Sequence, residues 1–75
     1  MDKLTQCKKM VEYMKMFGPI TTLQAIVYLR IVRPASRIHD LKKMGYQIDT
    51  ELVYAENSDG SKTHYAKYTL IGEPT

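Results

Sequence analysis

Arg33, Ser36, Arg37, Asp40 and Lys43 recur at three- and four-residue intervals in the stretch R-P-A-S-R-I-H-D-L-K-K. On a helix, residues so spaced are surface neighbours about one turn apart. Arginine can take guanine O6 and N7 with both guanidinium arms, and serine or aspartate can add secondary contacts to base edges. Arg33 and Arg37 are close enough to reach a base edge and a phosphate together. Asp40 suits two roles equally, orienting Arg37 by an ion pair or accepting from a cytosine amine. These five are the expected base-contacting set. Thr21 and Thr22, at the start of the preceding apolar segment, suit a phosphate. Ser61 and Lys62, in a polar loop, suit the backbone or the minor groove.

Rival chemistries fit less well. Ser36, His39 and Asp40 include the residue types of a hydrolytic triad, but on a single helix His39 and Asp40 point about 100° apart and no oxyanion donor converges on them. His39 and His64 with Asp40 match no metal-ligand spacing. Cys7 is the only cysteine, so it can form no intramolecular disulfide or thiolate cage, and it reads as a small buried hydrophobe. No enzymatic activity, cofactor, metal or small-molecule substrate is expected. No apolar run approaches the roughly 18 residues that cross a bilayer. No signal-like apolar region follows the N-terminal lysines, so a reduced, cytoplasmic setting is expected.

Charge is uneven along the chain. The formal net charge is +3. Residues 22–46 hold Arg30, Arg33, Arg37, Lys42 and Lys43 against Asp40 alone, whereas residues 47–59 hold Asp49, Glu51, Glu56 and Asp59 and no lysine or arginine. Basic residues clustered on one unit are a nucleic-acid signal; the alternative is an ordinary solvated helix surface.

Local patterns place these residues on a single domain spanning 1–75. Thr5 is the expected N-cap of a first helix over about 5–17, with Cys7, Met10, Val11, Met14 and Phe17 on its apolar face. Gly18 and Pro19 stop it. Thr21-Thr22-Leu23-Gln24 has the capping-box form and opens a helix over about 22–30, buried through Leu23, Ala25, Ile26 and Leu29. Ile31 plugs the turn. Pro34 suits the first position of a third helix over about 34–44, with Ala35, Ile38, Leu41 and Gly45 inward and Ser36, Asp40 and Lys43 opposite. Alternation over 46–55 and 63–70, either side of Asn57-Ser58-Asp59-Gly60, predicts a β-hairpin. A frayed tail over 71–75 follows. The fold class is α+β, in the order helix, short strand, helix, helix, strand, wing, strand.

The stretch from Gly18 to Ile48, G-P-I-T-T-L-Q-A-I-V-Y-L-R-I-V-R-P-A-S-R-I-H-D-L-K-K-M-G-Y-Q-I, resembles the small winged helix-turn-helix domain common in phage and prophage proteins. Arg33, Arg37, Ile38, Asp40, Leu41, Gly45 and Tyr46 fall on its patterned positions, and Tyr68-Thr69-Leu70 matches its closing strand. Gln24 stands where that family usually has an acidic residue. The resemblance implies a phage or mobile-element protein that binds double-stranded DNA as a transcriptional regulator or architectural factor, with helix 34–44 in the major groove and the wing on adjacent phosphates. So few phosphate contacts bind weakly, which leaves room for a homodimer on a two-fold site. The rival partner is a host protein complex (polymerase, nuclease or defence system), met through Met16 on the wet side of the first helix and Tyr13 near the edge of its apolar stripe, or through the acidic Asp49 and Glu51. Within the DNA reading itself there is an alternative, in which Arg37 and Asp40 are patterned as a structural ion pair packed under the wing and Ser36 and Lys43, with Arg33, carry the contacts.

Overall fold

The computed structural model describes residues 2–74. Its elements are α1 (Lys3–Phe17), β1 (Ile20–Thr21), α2 (Thr22–Leu29), α3 (Pro34–Lys43), β2 (Gln47–Glu56) and β3 (Lys62–Gly72). This is the expected order and class. The three strands form one antiparallel sheet ordered β1-β3-β2, with Ile20 opposite Tyr68 and Thr50 opposite the same Tyr68 from the other side. The helices cover the base of one sheet face, and the hairpin runs on beyond them, drawing the molecule out to 45 Å along its longest axis.

The core is built where local signals put it. Cys7, Met10, Val11 and Met14 of α1 meet Ala25, Ile31, Ile38 and Leu41 of the helical hairpin and Ile20, Ile48 and Tyr68 of the sheet. Ile31 is fully buried in the turn between α2 and α3. The capping box closes as expected: the Gln24 amide donates to the Thr21 hydroxyl at 3.1 Å, and the Thr21 amide donates to Gln24 Oε1 at 3.0 Å.

Five details differ from the sequence expectation. The first helix begins at Lys3, capped by Asp2, whose carboxylate accepts from the Thr5 amide at 2.7 Å. Asp2 captures an orphan amide two residues into the helix, so Thr5 is an internal residue and not the cap. Phe17 is 69% exposed, because the last turn of α1 passes the end of the bundle and its ring rests on Tyr13 instead, 5.1 Å away. On α2, Leu23 and Ile26 are 65% and 42% exposed while Ala25 is fully buried. The helix is therefore turned so that its smallest residue faces the core, and only Leu29 of the expected apolar trio is half-buried.

On α3, Ala35 is exposed and Pro34 takes its place beside Ile38 and Leu41. Finally, the closing strand does not end at Leu70. It pairs through Gly72, Glu73 binds Lys15 at 2.6 Å, and Pro74 lies across Gly45, 3.0 Å from where a Cβ there would sit. With φ of 103° as well, Gly45 has two reasons to lack a side chain. Thr75 lies outside the described residues.

Candidate nucleic-acid interface

Helix α3 starts with Pro34 at its first position and no side chain on its N-terminal amides, so the positive end of its dipole is open. Arg33, immediately before it, is exposed. Along the helix, Ala35, His39, Lys42 and Lys43 are exposed and Ser36 is half-exposed. These residues share one arc of the helix, opposite a buried arc running from Ile38 through Pro34 and Leu41 toward Arg37. The outward face is thus small at its N-terminal turn and basic at its C-terminal turn.

Arg37 and Asp40 belong to a different arc. Their side chains keep only 19% and 18% of their accessible surface, and they face the N-terminal turn of α1. Asp40 Oδ1 lies 3.4 Å from Lys3 Nζ, and Oδ2 lies 3.2 Å from Arg37 Nε. The Arg37 N–H is not aimed at that oxygen, so charge and not an aligned hydrogen bond holds the pair. Nearby, the Cys7 thiol donates weakly to the Arg37 carbonyl at 3.9 Å. Burial pushes that thiol's pKa up, and the Asp40 carboxylate adds to the shift. Asp40 does lie across the helix from Ile38, near Ser36 and Lys43, but α1 packs over it and takes it out of the solvent. It lies between two cations against α1, and orienting Arg37 is the one of its two expected roles that this geometry serves.

The other expected contact residues are partly engaged. Thr22 donates its hydroxyl to the Ala66 carbonyl at 3.4 Å, tying α2 to β3, and the Thr21 hydroxyl accepts within the capping box. In the wing, Asn57, Asp59 and Ser61 close on one another: Asp59 Oδ1 accepts from the Ser61 amide at 2.9 Å and from the Ser61 hydroxyl at 2.7 Å, and Ser61 accepts from Asn57 at 2.9 Å. Gly60, at φ 88°, donates to the Asn57 carbonyl and lets the chain return to the strand. The Ser61 hydroxyl is therefore a strut of the turn. Lys62, next to it, is exposed. Both hydrogen bonds from Ser61, the hydroxyl's first, hold the Asp59 carboxyl below the usual carboxylate range, so it is an anion turned back on its own loop.

Asp49 and Glu51 are exposed and alternate with buried Ile48, which puts them on the sheet face turned away from the helices, with Glu51 opposite Lys67. Tyr13 is half-buried and Met16 is 75% exposed. The sequence reading missed His39 and Lys42 as outward groups. A helical wheel on which Pro34 and Arg37 join Ile38 and Leu41 in place of Ala35 would have found them. Among the described residues, no group of three or more His, Cys, Asp or Glu side chains could hold a metal ion, and no helix is long and apolar enough to cross a membrane.

A helical hairpin of α2 and α3 buttressed by α1, with a β-hairpin projecting beside it, defines the winged-helix class. The model of the winged helix-turn-helix domain family matches residues 5–73, and the chain belongs to that family. No curated protein and no solved structure matches the chain.

Proposed function

We propose that this domain binds double-stranded DNA, with α3 in the major groove and the tip of the wing on neighbouring phosphates. Given the resemblance above, we place it as a transcriptional regulator or architectural factor of a phage or mobile element, working in the bacterial cytoplasm. The observation that carries the reading is the outward face of α3. Arg33, Ser36, His39, Lys42 and Lys43 stand clear of the core, the one acidic side chain bordering them, Asp40, is engaged by Lys3 and Arg37, and exposed Ala35 leaves room for close approach at the N-terminal turn. Arg33, Ser36 and Lys43 are the base and phosphate readers, joined by His39 and Lys42. Arg37 and Asp40 hold α3 at its angle to α1. Lys62 supplies the wing's phosphate contact.

Fluorescence anisotropy of a labelled random duplex, at low and near-physiological salt, tests this. Neutralising several phosphates makes log K fall linearly with log salt, with a slope of roughly −0.9 per phosphate contacted. A steep fall is the expected result, and no binding at low salt rejects the reading.

One observation favours a second reading, in which the domain occupies a host protein complex. Strand β2 is an unpaired sheet edge ten residues long, and the outer face beside it carries Asp49 and Glu51. An extended basic segment of a partner protein would add to that edge, with backbone hydrogen bonds giving affinity and the two acids giving charge complementarity. Capture from host lysate that is lost with Asp49→Lys/Glu51→Lys supports it, and unchanged capture removes the acidic face as the contact.

A further inference from the structure

The C-terminal end of α1 carries an apolar surface that the DNA reading does not use. Tyr13 and Tyr28 lie with ring planes 19° apart and centroids 6.5 Å apart, and Phe17 leans on Tyr13 at 5.1 Å. Together with Leu29 they line an open depression of about 410 Å³, and Met16 extends it along α1. Met16, Phe17 and Tyr28 are 75%, 69% and 65% exposed. Aromatic side chains present about 150–250 Å² each when free. Scaled by these exposures, and with the stems of Lys9 and Glu12 at its rim, this patch offers roughly 400–500 Å², which suits a weak interface smaller than the ~800 Å² each partner contributes to a standard one. A contiguous apolar surface of this size lies at the upper end of what monomeric proteins leave open.

We infer that a second copy of this chain covers the patch, in a two-fold dimer built on Tyr13, Met16, Phe17 and Tyr28. Three features identify the occupant. First, the rim carries one cation and one anion, Lys9 and Glu12, so across a two-fold axis each meets its opposite on the partner. Second, the open edge of β2, another route to self-association, is guarded. Antiparallel pairing of β2 with itself would set Asp49, Glu51 and Glu56 of two copies against one another with no basic residue on the strand, and like charges across a strand pair destabilise it. Third, α3 meets α1 at its other end, through Lys3 and Cys7. The patch begins at Tyr13, six residues beyond Cys7 and about 9 Å further along the helix, and the outward arc of α3 is turned away from α1, so the dimer leaves both α3 faces open. The inference stands independently of DNA binding.

Sedimentation equilibrium of the full chain without DNA, from low to high micromolar concentration, tests it. A concentration-dependent dimer is expected, with a Tm that rises with protein concentration. Phe17→Glu and Met16→Glu alter exposed side chains, so both should keep the wild-type circular dichroism and weaken the dimer at least tenfold or so. Lys9→Glu should also weaken it, and Lys9→Glu combined with Glu12→Lys should restore it. A wild-type chain that stays monomeric throughout overturns the inference. A dimer indifferent to Met16→Glu and Phe17→Glu overturns it equally, because another surface would then hold the copies together. Duplex binding by the monomeric variants reports on the DNA reading separately.

Discussion

At the scale of the residue, Arg33 and Arg37 illustrate how position changes the meaning of a side chain. Both are arginines flanking the first turn of α3. Arg37 is four-fifths buried beside Asp40, whereas Arg33 is exposed next to an uncapped helix start. Breaking a buried pair leaves an uncompensated charge and destabilises the fold, so Asp40→Ala variants report on stability and are poor tests of DNA contact. Arg33 and Lys43 are the informative pair, since both are exposed and neither appears among the ion pairs of the described residues. Arg33→Ala with Lys43→Ala is expected to reduce duplex affinity more than tenfold at low salt while the urea midpoint holds. Unchanged affinity in the folded double variant would remove α3 from the groove.

At the scale of the element, the turns are the informative places. The α2–α3 connection requires Arg30 to adopt a left-handed conformation, φ 57° and ψ 36°, so that Ile31 can turn into the core and its amide can reach the Ala25 carbonyl. A left-handed residue costs roughly 1–2 kcal/mol unless it is glycine. Arg30 already bears that cost and a β-branched side chain adds to it, so Arg30→Val should lower stability further, by about 1 kcal/mol, while Arg30→Gly should leave it level or slightly higher, as read by urea unfolding. Equal losses in both variants would show that the arginine side chain matters more than its backbone. The wing tip depends on a single carboxylate. Because the Asp59 pKa is lower in the folded turn than its unfolded value near 3.9, its stabilisation is complete above that value and is lost as pH falls through the folded one. In an NMR titration from neutral to acid pH, the Ser61 and Gly60 amide shifts should move together below about pH 4. Asp59→Asn should abolish the step. Shifts that track global unfolding instead would mean that the turn has no independent role.

At the scale of the whole molecule, a small domain depends on few buried side chains. A chain of 75 residues has a total stability of about 4–11 kcal/mol. Ile31 is fully buried where α2, α3 and α1 converge, and truncating such a side chain to alanine costs about 2–5 kcal/mol. Ile31→Ala should consequently bring the domain near its unfolding midpoint at room temperature, with chemical denaturation as the measurement. A loss well under 1 kcal/mol would show that the helical hairpin closes around the gap.

The same convergence of elements separates what was legible in the chain from what was not. The sequence by itself determined the three helices, the hairpin and their order, because each rests on interactions within a few residues: the Thr21–Gln24 box, Pro34 at a helix start, Gly45 at its end, and the Asn57–Ser61 turn; the short strand, by contrast, exists only through its pairing with Tyr68 and Lys67. Contacts that reach across the chain decided the rest. The rotation of α3, and with it the choice of His39 and Lys42 over Arg37 and Asp40 as outward groups, depends on Lys3 and Cys7, which lie thirty or more positions earlier. An apolar stripe about 100° wide leaves a helix free to roll by nearly one residue before any side chain is badly placed. Only the neighbour that packs against it removes that freedom.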